Sequence, residues 1–147
     1  MPTSRRAFVS LMAVSGTAGS ALLSACLSDG QPTTDADAGN VSAIPVGTLR
    51  AIAGNPVMIG RDAGGLYAMT TLCSHAQCDL KSQGTISASG ISCACHGSKF
   101  DANGLVTGGP ASTTLPHFVV TLSATGVVTI HQGQPASASA RTAVPVT

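Results

Sequence analysis

CSHAQC occupies residues 73–78 and CACHGSKF occupies residues 93–100. Four of the chain's five cysteines and two of its four histidines lie in these two stretches. Each stretch sets a cysteine close to a histidine: Cys73 with His75, and Cys93 with His96. The first spacing is C-x-H and the second is C-x-x-H. Strand-like runs precede both stretches, which places both on loops, where a β scaffold usually carries its chemistry.

The scaffold is legible around them. The chain has no Trp, one Tyr and three Phe, so its core must rest on Val, Ile, Leu, Met and Ala. Seventeen Gly with many Ser, Thr and Val favour strands and tight turns. Thr48 to Ala53 and Pro56 to Arg61 are apolar or alternating runs, and Asp62-Ala63-Gly64-Gly65 turns the chain into Leu66 to Leu72. Ser89-Gly90 separates Thr85–Ala88 from Ile91–Cys93 as a hairpin signal, and Asn103-Gly104 is a second one. His117 to Ala124 and Val127 to His131 flank a turn at Thr125-Gly126. Short strands at this spacing predict one small antiparallel sandwich or barrel. His117 and His131, at strand ends, read as ordinary surface or edge residues. Tyr67 reads as a packed strand residue, and Asp79 and Lys81 as solvated charges beside the first loop.

Charge excludes some functions. The formal net charge is +1, and every acidic residue is Asp. No basic face is available for nucleic acid, and net charge offers little long-range steering.

The ends read differently. Ser4-Arg5-Arg6-Ala7-Phe8 is a twin-arginine pattern followed by a weakly apolar stretch to Ala25. Leu23-Ser24-Ala25-Cys26 resembles the lipobox of bacterial lipoproteins. Residues 1–25 are therefore expected to be a signal peptide, with Cys26 the lipidated residue. Residues 26–47 are small, polar and rich in turn formers, and are expected to form a lipid-anchored flexible linker. A domain is expected from 48 to 131. Residues 132–147 form a tail that is loose or lies along the domain.

Several chemistries could use the two loops. Structural zinc usually pairs cysteine with cysteine and histidine with histidine, and needs only four ligands. A disulfide framework explains the cysteines but not the histidines. A cysteine nucleophile with a histidine base leaves three cysteines unused. A 2Fe-2S cluster with mixed ligation suits one soft and one neutral donor from each loop.

CSHAQC followed after 14 residues by CACHGSKFDANGLVTGGPA resembles the Rieske iron–sulfur family, in the branch with an extra cysteine in each loop. The resemblance covers about residues 70 to 116. It implies an all-β, Rieske-type antiparallel β-sandwich with a small cluster-binding subdomain of two loops. It implies one 2Fe-2S cluster held by Cys73, His75, Cys93 and His96, and a disulfide between Cys78 and Cys95. Gly109-Pro110-Ala111 matches the family's third loop, and Ser98 matches a serine that donates to a bridging sulfide. Phe100 stands where high-potential members carry a tyrosine that donates to a cluster cysteine, which implies a lower potential here. Two thiolates and two neutral imidazoles leave the oxidised cluster uncharged, where four thiolates would leave it a dianion. Adding an electron to the neutral centre is easier, and the imidazoles couple its arrival to a proton.

The functional expectation is a bacterial periplasmic, membrane-anchored electron-transfer protein. Its expected partners are a quinol, cytochrome or oxidase, and a membrane through the lipid. Two alternatives are the iron–sulfur subunit of a cytochrome bc-type quinol oxidoreductase and the small subunit of a molybdenum oxidase such as arsenite oxidase. A third, of another class, is a metal-bound structural module without redox work. The cytochrome bc subunits usually carry Leu-Gly where this chain has Ala76-Gln77, which weakens that alternative.

Overall fold

The computed structural model of the chain describes residues 34–145. Its first strand, β1 (Ala36–Asn40), is followed by a 3-10 turn at Val41–Ala43. Then come β2 (Thr48–Ala51), β3 (Val57–Asp62) and β4 (Gly65–Thr70). A single helical turn, α1 (Leu80–Gln83), precedes β5 (Gly84–Ser87) and β6 (Gly90–Cys93). The chain ends with β7 (Lys99–Phe100), β8 (Val106–Gly108), β9 (His117–Leu122) and β10 (Val127–Ala136). A six-stranded sheet has the order β1-β10-β9-β4-β3-β2, and a four-stranded sheet has the order β5-β6-β7-β8. All pairings are antiparallel. The all-β antiparallel expectation is met.

β4 explains the layering. All six of its residues are buried, because successive side chains leave opposite faces of a strand. Leu66 and Ala68 join Val57, Ile59, Val120 and Ile130 in one apolar cluster. Tyr67 and Met69 join Met58, Leu80, Ile91 and Phe100 in a second. The six-stranded sheet curls around the first cluster, and the four-stranded sheet is laid against the second. One arginine joins the two edge strands of the curled sheet, and a second holds the β1–β2 connection to it. Arg50 of β2 donates to the Ala38 carbonyl of β1 at 2.9 Å, and Arg61 donates to the Ile44 carbonyl at 3.0 Å. Cys73 and Cys93 belong to the second cluster, so the loops sit where the two sheets meet.

Both boundaries expected from composition shift. The linker expected to run to residue 47 gives way to β1, which pairs with β10, and Ala36, Ala38 and Ile44 are buried. The domain therefore begins upstream of residue 48. The tail expected from 132 starts inside β10, and further on Thr142 bridges to Leu66. The β5–β6 turn is Ala88-Ser89 rather than Ser89-Gly90, since Ser87 pairs with Gly90. His117 is not a surface or edge residue. It is buried in β9 between Met69 of β4 and Ala136 of β10, and its Nδ1 lies 2.7 Å from the Leu115 carbonyl. The signal-peptide stretch and Cys26 lie outside the described residues.

Candidate metal centre

The two cysteine loops share one hydrogen-bonded frame. The Cys73 N–H donates to the carbonyl of Cys78, and the Cys93 N–H donates to that of Ser98. The Cys73 carbonyl accepts from Gln77 N–H, and the Cys93 carbonyl accepts from Gly97 N–H. Each loop is thus a turn closed by its leading cysteine over the same span. Other contacts hold the frames in place. Asp79 caps α1 by accepting from Lys81 N–H, and the Gln83 carbonyl accepts from Ala94 N–H. A third stretch, 109–115, lies over the second loop. Gly109 has φ +85°, and a β carbon there would lie 2.7 Å from Ser98 N, so the close approach requires glycine. Ala111 N–H donates to the buried Ser98 Oγ, and Ser74 Oγ donates to the Thr113 carbonyl, which ties the third stretch to the first loop.

The frame sorts its side chains by chemistry. Cys73 and Cys93 are buried, at 2% and 3% exposure. His75 and His96 are exposed, and their rings meet edge to face with centroids 4.9 Å apart. Cys78 and Cys95 form the disulfide that joins the two loops. Cys93 Sγ lies within 4.8 Å of both disulfide sulfurs, but those sulfurs carry no anionic donor while bonded. Burial pushes the Cys93 thiol above its ordinary pKa, and the neighbouring Cys73 sulfur pushes it the same way. Two adjacent buried thiolates therefore call for a positive centre between them. Two soft sulfurs inside and two imidazoles outside fit a mixed-ligand iron–sulfur group better than four-coordinate zinc alone.

Contacts outside the two loops brace the site. Tyr67 donates from its hydroxyl to the Ala102 carbonyl, in the β7–β8 connection. Arg141 lies over the Tyr67 ring at 4.2 Å, pairs with Asp62 at 2.7 Å and donates to Asn103 Oδ1 at 2.8 Å. A lone arginine in a polar tail carries no sequence signal for such a role. His131 lies on β10, away from the loops, between Asp35 and Thr121.

Comparison with known proteins adds to this geometry. The chain is 34% identical over 68 residues to the carotenoid phi-ring synthase of Chlorobaculum tepidum, covering 46% of this chain and 10% of that protein. It is 34% identical over 70 residues to the cytochrome b6-f complex iron-sulfur subunit of a Synechococcus strain, covering 46% and 38%. The chain thus spans well under half the length of either relative. Among solved structures, a chain in the complex of reduced oxygenase and oxidized ferredoxin in carbazole 1,9a-dioxygenase superposes with a TM-score of 0.51. That likeness, at 24% identity, covers 72% of this chain and 99% of the other, and shows the fold. The family profile of the Rieske [2Fe-2S] domain matches residues 35–119. With the loop geometry and this match together, the chain belongs to the Rieske family, as an electron-transfer domain that holds one 2Fe-2S cluster.

Proposed function

We propose that Cys73 and Cys93 hold one iron of the cluster and His75 and His96 the other, in a membrane-tethered periplasmic electron carrier. The observation that carries this reading is the shared loop frame, with both thiols buried and both imidazoles paired in solvent. When bound, the cluster supplies reversible one-electron chemistry at a potential raised by its neutral ligands. The chain supplies the rest. The buried cysteines exclude water from the sulfur side. The exposed imidazoles leave a short path to a partner and can each release or take up a proton at a ring nitrogen. Ser98, buried beneath the third loop, keeps its hydroxyl proton free to donate, since its Oγ only accepts from Ala111.

The tether rests on Ser4–Phe8 and on the Leu23–Cys26 lipobox. With β1 beginning at Ala36, the stretch left to act as linker is shorter than composition implied. Residues 27–35 separate Cys26 from that strand, and the last two of them, Thr34 and Asp35, already bond to Gln132 and His131 of β10. The likeness to cytochrome b6-f iron-sulfur subunits favours a second reading, in which the chain serves a quinol oxidoreductase.

Iron and acid-labile sulfide analysis, with an EPR spectrum of the reduced protein, tests the ligand set. We expect a mixed-ligand 2Fe-2S signal that His75→Ala and His96→Ala each abolish. A variant that retains the parent spectrum would remove that histidine from the centre. Release of the chain from the membrane fraction on Cys26→Ala checks the anchor.

A further inference from the structure

The third stretch, 109–115, lies between β8 and β9 and belongs to neither a strand nor a helix. Pro110 within it and Pro116 after it have no N–H to donate. Ala111 N–H donates to Ser98 Oγ, and Leu115 N–H donates to the Gly104 carbonyl at 3.0 Å. The first bond goes to the loop that the stretch covers. The second leaves the site and ends on the β7–β8 connection, residues 101–105. The stretch is therefore placed only as firmly as that connection is.

The connection is fixed by the C-terminal tail. Asp101 closes it from within by accepting from the N–H groups of Asn103 and Leu105. Gly104 takes φ +74° at its corner, and a β carbon there would lie 2.7 Å from Met69 Sδ and 3.1 Å from Leu115 Cβ, so a shift of the corner is felt at Leu115. From outside, Asn103 Oδ1 accepts from Arg141 at 2.8 Å, and Asn103 Nδ2 donates to the Ala138 carbonyl at 2.9 Å. Both ends of that carboxamide are thus committed to the tail. Arg141 donates to the Ala138 and Ala140 carbonyls as well, which wraps the tail around its guanidinium. The tail is pinned beyond it, where Thr142 and Leu66 exchange two backbone bonds of 2.9 Å.

We propose that residues 137–142 are a strap that positions the third stretch over the cluster, with Arg141 and Asn103 as its positioning residues. One route runs from Arg141 to Asn103, through Gly104 to Leu115, and along the stretch to Ala111 and Ser98. The Ser98 carbonyl accepts the Cys93 N–H, so this route reaches one leading cysteine. A branch runs from the Thr113 carbonyl to Ser74, next to Cys73. The strap thereby sets the geometry of both cysteines from outside their loops. When it loosens, the stretch lifts and the ligand angles spread. The inference rests on the ligand set proposed above.

The test uses the full cluster-loaded chain and two readouts. Hydrogen exchange at residues 109–115 is measured relative to that of the β9–β10 ladder, so that a general loss of stability cancels. The EPR line width of the reduced chain reports the spread of ligand geometry. Arg141→Ala and Asn103→Ala should each raise the exchange ratio roughly fivefold or more and broaden the lines. Arg141→Lys should recover part of both, and it carries the comparison with the parent if the alanine variants do not fold. Arg50→Ala, which frees β1 from β2 at the opposite edges of the sheet, should move neither readout. An unchanged exchange ratio, parent line widths, or the same changes in Arg50→Ala would each overturn the strap. A parent whose reduced spectrum is not that of a mixed-ligand 2Fe-2S centre would instead overturn the ligand set beneath it.

Discussion

Replacing Cys78 and Cys95 together by serine measures what fastens the two cluster loops. The bond closes a loop with a sequence separation of 17. The chain-entropy relation for that length gives about 3 kcal/mol at 25 °C. That is a large share of the roughly 5–15 kcal/mol that a domain holds in total. The loss should be felt locally first. The loops are built from turns, and among their side chains Cys73, Cys93 and Ser98 are the buried ones, with Cys78 and Cys95 packed partly against the second apolar cluster. Other ties remain in the variant: the Gln83 carbonyl to Ala94 N–H, and the route through the third stretch, Ser74 Oγ to the Thr113 carbonyl and Ala111 N–H to Ser98 Oγ. Each is a neutral hydrogen bond of about 1 kcal/mol, too little to replace the bond. Urea titration should be followed by two probes, far-ultraviolet circular dichroism for the sheets and visible absorption for the cluster. The parent should lose both together. The variant should lose about 3 kcal/mol overall and bleach at lower urea than its sheets unfold. Dithiothreitol should move the parent toward the variant and leave the variant unchanged. Coincident bleaching and unfolding, with a stability loss under about 0.5 kcal/mol, would show that the frame alone holds the cluster.

Arg141→Ala should cost about 1–3 kcal/mol, from a charge-assisted bond to a partly exposed carboxylate, a bond to Asn103 and the contact over Tyr67. Arg141→Lys should recover only part of this in thermal unfolding. Burial pushes the Asp62 carboxyl up, but the Arg141 bond and the N–H groups of Gly64 and Gly65 hold it below its ordinary value. That contribution is present above the unfolded carboxylate range and fades as pH falls through the folded one, so acid titration of Arg141→Ala should show a shallower loss than the parent. His117 is held below its ordinary pKa chiefly by burial, with Arg141 adding to the effect and the Leu115 carbonyl and Asp101 opposing it. The unfolded chain therefore binds more protons below about pH 6.5, and stability should fall as pH drops from there. His117→Phe should flatten that part of a urea-midpoint profile between pH 7.5 and 5, and an unchanged slope would remove His117 as its source. Phe100 is buried among the cluster cysteines at 2% exposure. Phe100→Tyr should raise the midpoint potential by on the order of 60 mV if the new hydroxyl donates about 1.4 kcal/mol more to the reduced state; voltammetry showing no change or a fall would refute that donor role.

The runs of β3, β4, β9 and β10 were legible because they are strongly apolar, continuous in β3 and β4 and alternating in β10, and turn residues bound them. β1 was not. Its inward residues are Ala36 and Ala38, too small to mark a strand, and Asp37 and Gly39 between them read as turn formers. What makes it a strand lies far along the chain: β10 beside it, Arg50 on its Ala38 carbonyl and Asn40 bonded to Thr125. The same distance hid Arg141, whose partners Asp62, Tyr67 and Asn103 come from three other segments. The burial of His117 is not legible because a strand's first residue often lies at an edge, whereas β9 is paired on both sides. The cysteine loops were legible because their chemistry is concentrated in two short stretches. Their hydrogen-bonded frame was not, since backbone bonds leave no mark in residue identity except the glycine at 97.

The frame also accounts for the unequal spacings, C-x-H and C-x-x-H. Counting from the leading cysteine, both loops bond residue 0 to residue 5 and residue 4 to residue 0. Position 2 is His75 in the first loop and Cys95 in the second; position 5 is Cys78 in the first and Ser98 in the second. The disulfide therefore joins unlike positions, 5 of one loop to 2 of the other. Position 2 of the second loop is occupied by the bridge, so its imidazole comes from position 3. Position 2 of the first loop is free, because its bridge leaves from position 5, and it carries His75. The offset puts the two rings within 4.9 Å while the loops stay fastened. If this is right, exchanging residues 95 and 96 should cost both features at once. Cys95→His with His96→Cys would equalise the spacings, yet it would lose the disulfide and the ring pairing together, and the EPR signal with them.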